Sequence, residues 1–165
     1  MGMSVTISEA TEQDVEQIFR LQYLCFQSEA ALYGNYRIDP LVQSLDSVRQ
    51  EVGADCVFVA RLGEEVVGSV RGRTGEDGAA AIAKLCVHPR LQGHGIGARL
   101  LRAAETALAE QRGATMFRLH TGHRSEGNLR LYRRVGYQAV GRTKGADGVE
   151  LIVLEKPAGT YATTA

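Results

Sequence analysis

The spacing of apolar positions changes period several times along the chain, and each change marks an element. Val5 to Ser8 alternates and predicts a short strand. Val15, Ile18, Phe19, Gln22, Cys25 and Phe26 recur at intervals of three and four, which predicts a helix running to about Ala31. Thr11 stands where an N-cap belongs, with Asp14 three residues later as an analogue of the capping-box acid. Tyr33-Gly34-Asn35 breaks the helix, and Pro40 closes a loop. A second short helix follows from Ser44 to Val52, with Leu45, Val48 and Val52 on one face. Three strands come next, Cys56 to Leu62, Val66 to Arg73 and Ala79 to Val87, joined by turns at Gly63-Glu64-Glu65 and Thr74 to Gly78. Ile96, Leu100, Leu101, Ala104 and Leu108 outline an amphipathic helix to about Gln111, which Gly113 ends. A strand from Met116 to Thr121, a short helix from Asn128 to Val135 stopped by Gly136, and strands over Tyr137 to Arg142 and Val149 to Glu155 complete the pattern. The order β-α-α-β-β-β-α-β-α-β-β describes one mixed α/β domain over residues 1–157, an antiparallel meander leading into one strand-loop-helix unit. Residues 158–165 read as a flexible tail.

Composition narrows the class. The 165 residues suit a single core, and 44% hydrophobic with 23% charged residues is ordinary for a globular protein. The formal net charge of zero argues against a general binder of nucleic acid or membrane surfaces. Cys25, Cys56 and Cys86 each lie in an apolar run with no CxxC pair, and read as buried, reduced thiols. No apolar run is long enough to span a bilayer and the N-terminus does not read as a signal peptide, so a cytoplasmic protein is expected.

The chemistry concentrates after Ala79. Gln92-Gly93-His94-Gly95-Ile96-Gly97-Ala98 lies between a strand and a helix. Glycines there let backbone approach a ligand closely, and free amides with the helix dipole favour an anion such as a pyrophosphate. Gly93 to Ala98 literally fits the dinucleotide variant G-x-G-x-x-A. Against that reading, His88 to Gln92 separate the strand from the first glycine, three meander strands precede the unit, and Leu119, His120 and Thr121 stand where a ribose-binding acid belongs.

With Leu85-Cys86-Val87-His88-Pro89 before it and Asn128, Tyr132 and Gly136-Tyr137 after it, this loop resembles the acyl-CoA site of the GNAT acetyltransferase superfamily. Gln92, Gly95 and Gly97 meet that family's pattern Q/R-x-x-G-x-G/A. The resemblance implies a mixed, mostly antiparallel twisted sheet of about seven strands flanked by about four helices. It implies acetyl-CoA as co-substrate, no metal, and transfer of the acetyl group to a primary amine by direct attack in a ternary complex. The segment Leu85-Cys86-Val87 would pair through its backbone with the pantetheine arm, an N–H near Val87 would face the thioester carbonyl, and the amides of Gln92, Gly93, His94, Gly95, Ile96, Gly97 and Ala98 would hold the pyrophosphate. Asn128 would bond the pantetheine or phosphate end, and Tyr132, four residues on and on the same helix face, would donate a proton to the leaving thiolate.

A departure from the family concerns the general base. Many members carry a carboxylate on the strand before the glycine loop, and Ala79 to Val87 holds none. His120, Glu29 and Asp39 are the candidates elsewhere, beside water relays or direct arrival of a neutral amine. His88, His94 and His123 are weaker ones, and His120-x-x-His123 lacks the further ligands a metal needs. Arg90, Arg99, Arg124 and Arg133 are candidates for the 3′-phosphate of CoA. The first two helices and the loop from Leu32 to Leu41 would form the acceptor pocket, whose guest stays open among a protein N-terminus or lysine, an amino acid, a polyamine and an aminoglycoside. No nucleic-acid or membrane partner is expected, and a homodimer is left open. The competing function class is the same fold binding acyl-CoA as a sensor without turnover.

Overall fold

The computed structural model describes residues 4–159; the rest of the expected tail, 160–165, lies outside the described residues. Of that tail, Ala158 is buried and its N–H donates to the Thr115 carbonyl at 3.0 Å. Seven strands form one sheet in the order β1-β2-β3-β4-β5-β7-β6. They are β1 (Val5–Glu9), β2 (Cys56–Leu62), β3 (Glu65–Thr74), β4 (Ala79–Val87), β5 (Met116–Gly122), β6 (Gln138–Lys144) and β7 (Glu150–Pro157). All neighbours are antiparallel except β4 and β5. This is the mixed, mostly antiparallel sheet expected.

The helices are more finely divided than the periodicity suggested. The single helix expected up to Ala31 is two, α1 (Val15–Cys25) and α2 (Gln27–Tyr33), because the chain turns at Phe26. Apolar spacing runs through that turn, so period alone does not reveal it. A one-turn helix, α3 (Asp39–Val42), begins with Pro40 in its first turn, where a proline's missing N–H costs nothing. In α4 (Leu45–Ala54), the Ser44 hydroxyl caps the first turn by accepting from the Ser47 N–H at 3.1 Å. The long α5 (Ile96–Arg112) and the short α6 (Glu126–Arg134) complete the set.

Helices cover both faces of the first strands, which is why β2 reads as a nearly continuous apolar run and β3 is buried from Val66 to Gly72. On one face Leu100, Leu101, Ala104 and Leu108 of α5 pack with Val70, Ile82 and Phe117. On the other, Val15, Ile18 and Leu21 of α1 and Val48 of α4 pack on Val57, Val59 and Val66. Each such leucine, isoleucine or valine contributes roughly 1.5–3 kcal/mol by leaving water.

Two features open the sheet in the middle. The parallel pairing of β4 with β5 covers only Ala79, Ala80 and Ala81 against Met116, Phe117 and Arg118. Beyond Ala81 the strands splay, and β5 no longer pairs with that edge of β4. The β3–β4 register also shifts between Ser69 and Arg71, where Lys84 adopts φ 54°. A bulge of this kind bends a strand and re-aims it. Lys84 is held in that uncommon conformation by Asp39 at 2.7 Å and by Glu51 and Gln43 at 3.0 Å.

Candidate active site

The splay leaves a groove of about 760 Å³ along the last residues of β4. Leu85, Cys86 and Val87 form one wall, Cys25, Phe26 and Glu29 of the α1–α2 region stand opposite, and Asn128, Leu131 and Arg134 of α6 close it. Its other end reaches Gln92, Gly93, Gly95, Ile96, Gly97 and Ala98. Gly93 and Gly95 have φ of 84° and 77°, values a side chain opposes, and nothing lies within 4 Å of where a Cβ would stand on either. The N–H groups of Ile96, Gly97 and Ala98 open a 17-residue helix whose first turn carries no acid. They have no preceding helical carbonyl to bond, so the loop presents amides and a positive dipole end to the groove.

Between the splayed strands a small cavity of about 70 Å³ is lined by Lys84, Leu85, His120, Thr121, Asn128 and Tyr132 together with Phe26 and Glu29. Phe26, Glu29, Leu85 and Asn128 line both spaces, so groove and cavity meet at these side chains. Tyr132 is buried, braced edge-on by the Tyr137 ring with centroids 6.1 Å apart. Tyr137 in turn donates to the buried Glu105 at 2.7 Å. Burial, reinforced by the charge on Glu29, pushes the Tyr132 phenol above its usual range, so it keeps its proton at neutral pH.

Glu29 is half-buried, and burial pushes its carboxyl above the usual 4.5, opposed by a hydrogen bond from Ser125 Oγ at 3.3 Å. His120 lines the cavity with much of its surface exposed, and partial burial, then the charge of Arg118, hold its imidazole below 6.5. Asp39 is ion-paired with Lys84 and lines neither space. Cys25 donates its thiol proton to the Val87 carbonyl at 3.4 Å, and hydrogen bonding to Cys86, then burial, pushes its thiol far up.

The structure thus brings together Glu29 of α2, His120 of β5, and Asn128 and Tyr132 of α6, three separate segments, beside Leu85, Cys86, Val87 and the glycine loop. Other candidates stand apart. His88 accepts from the Arg90 N–H at 3.1 Å and caps a turn. The His94 ring folds back on the Leu91 and Gln92 carbonyls at 3.1 and 3.2 Å, leaving only its backbone with the loop. His123 lies beside the Tyr33 ring and the Glu150 carbonyl. Among the basic candidates Arg124 lines the groove, Arg99 instead donates to the Val5 carbonyl at 2.9 Å, and Arg90 and Arg133 line neither space. Arg134 lines it unanticipated, although Gly127, Asn128, Leu131 and Arg134 follow the spacing of one helix face. Ser125 was not anticipated either, since its partners Glu29 and Tyr33 are distant in sequence. Among the described residues no cluster of three or more His, Cys, Asp or Glu is placed to hold a metal ion, and no helix is long and apolar enough to cross a membrane.

The sequence family described as "Acetyltransferase (GNAT) family" matches residues 15–137. Among solved structures, the PaiA N-acetyltransferase of Thermoplasma acidophilum, in complex with coenzyme A, superposes with a TM-score of 0.77 at 17% identity, covering 94% of this chain and 99% of that one. The ribosomal-protein-S18-alanine N-acetyltransferase of Escherichia coli gives 0.74 at 17% identity, with 94% of each chain covered. YncA of Salmonella typhimurium, solved with its cofactor acetyl-CoA, gives 0.73 at 19% identity over 93% of this chain and 94% of that one. No curated protein matches the sequence.

Proposed function

Because the chain belongs to the GNAT acetyltransferase family, we propose that it transfers the acetyl group of acetyl-CoA to a primary amine, with Glu29 as general base and Tyr132 as general acid. The site fits the co-substrate. The amides of the glycine loop and the α5 N-terminus suit the pyrophosphate, Arg124 and Arg134 supply positive charge along the groove, and the edge of β4 that β5 leaves uncovered near Leu85, Cys86 and Val87 suits the amide-bearing pantetheine arm. When bound, acetyl-CoA supplies a thioester whose carbonyl carbon the amine attacks.

The observation that carries the reading is the meeting of groove and cavity at Glu29, with Tyr132 on the cavity wall. A carboxylate raised by burial sits nearer the working pH and accepts a proton more readily than an exposed one. Glu29 takes the proton the amine loses as the N–C bond forms. Tyr132, kept protonated by its burial, gives its proton to the sulfur as the C–S bond breaks. His120, whose imidazole is biased toward the neutral form, also lines the cavity. Transfer in one complex of both substrates needs no covalent enzyme species, and no nucleophile beyond the amine is asked of the site.

The test is thiol release from acetyl-CoA in the presence of spermidine, kanamycin, free amino acids and an alanine-initiated peptide, with products weighed by mass spectrometry. Release that depends on an amine and yields its acetylated form supports the proposal. Binding of acetyl-CoA with no release across the panel would make the protein a sensor of acyl-CoA.

A further inference from the structure

A chain of three polar groups leads to Glu29. The Arg124 N–H donates to Tyr33 Oη at 3.0 Å, Tyr33 Oη lies 2.6 Å from Ser125 Oγ, and Ser125 Oγ donates to Glu29 Oε1 at 3.3 Å. Because Tyr33 Oη already accepts from the amide, its own proton is free to point at Ser125, and the Ser125 proton then points at Glu29. Every donor in the chain is aimed the same way, toward the carboxylate. The far end is a backbone amide, which cannot take up a proton, so the chain is no exit route for one. What it can do is hold the carboxylate in place and favour its ionised form.

The fold invests in this contact. Tyr33 ends α2 and reaches across to the turn between β5 and α6. A side chain at Gly122 would collide with the Tyr33 hydroxyl, so glycine there is what lets the ring lie on the end of β5. Ser125 is itself buried.

We infer that Ser125 and Tyr33 are positioning residues for Glu29, fixing its carboxylate at the junction of groove and cavity and holding it in the form that accepts a proton. The inference rests on Glu29 being the general base. Other charged or titratable groups face the same space: Tyr132, Arg124, Arg134 and Glu126 from α6 and the turn before it, His120 from β5, Lys84 from β4, and the thiols of Cys25 and Cys86. None of these donates to the Glu29 carboxylate, which makes Ser125 the group whose removal is felt most directly.

The experiment is a pH titration of the Glu29 side chain by carbon NMR on protein labelled at glutamate Cδ, with the resonance identified by its loss in Glu29→Gln. Ser125→Ala removes a hydrogen bond that favours the charged form, and the midpoint should rise by about 0.5–1 pH unit. Tyr33→Phe, which leaves Ser125 without its donor, should raise it by less, and Ser125→Thr, which keeps a hydroxyl, should restore the original midpoint. A purely structural tether between α2 and the β5–α6 turn would lower thermal stability in these variants without moving the midpoint. An unmoved or lowered midpoint in Ser125→Ala overturns the inference, and should that variant not fold, an unmoved midpoint in Tyr33→Phe does so. The base assignment fails separately, if Glu29→Gln acetylates an accepted amine at the unaltered rate.

Discussion

At the scale of single residues, burial does most of the chemical tuning. Tyr132→Phe keeps the ring that packs against Tyr137 and removes only the proton donor. The expected result is a fall in kcat of roughly 10–10³-fold with acetyl-CoA affinity little changed, measured by steady-state kinetics and a binding titration. An unaltered kcat would leave Tyr132 a packing residue. Glu29 offers a second check, because its raised carboxyl is also a statement about stability. A group with a higher pKa folded than unfolded favours the folded state at low pH, and that contribution is lost as pH rises through the folded value. At pH 7 the ionised, partly buried Glu29 therefore costs stability. Glu29→Gln should raise Tm at pH 7 and change it little near pH 4, as followed by thermal melts at the two values. A lower Tm at pH 7 would show that the carboxylate is a stabilising partner.

At the scale of elements, the site is made by what β4 fails to do. It leaves β5 after Ala81, bulges at Lys84, and ends at a glycine loop that starts α5. Gly95→Asp would force a side chain onto a backbone with φ of 77° and place a negative charge at the helix N-terminus where a pyrophosphate is proposed to sit. Acetyl-CoA affinity should fall at least tenfold in a titration, while circular dichroism shows the domain still folded. Full affinity in a folded variant would remove the loop from the phosphate site. This element was legible in the sequence, since a strand, a glycine-rich stretch and an amphipathic helix follow one another within a few residues. The strands were legible too, because alternating and continuous apolar runs are bounded by clear turns. The break at Phe26 was not, as the apolar spacing runs through Cys25 and Phe26 on both sides of it. Nor was the bulge, because Lys84 carries none of the usual signs of a left-handed residue and is held there by Asp39 and Glu51, distant in sequence.

At the scale of the whole molecule, the sheet carries two layers of helices and leaves one gap between its halves. Strands β1 to β4 and their helices provide the wall with Glu29, while β5 and α6 provide Thr121, Asn128 and Tyr132. Sequence alone named Glu29, His120 and Tyr132 and put His120 first as base for its neutral-range imidazole, since which side chains a splayed sheet brings within reach is not written in the sequence. Ser125 escaped notice for the same reason: its partners Glu29 and Tyr33 lie more than ninety positions away, and only the fold joins them. The most direct test is a crystal structure with acetyl-CoA bound. The account predicts the pyrophosphate on the backbone from Gly93 to Ala98, the arm along Leu85 to Val87, and the acetyl end at the junction by Glu29 and Tyr132. An acetyl end outside the splay, with Tyr132 and Glu29 remote from it, would contradict the account.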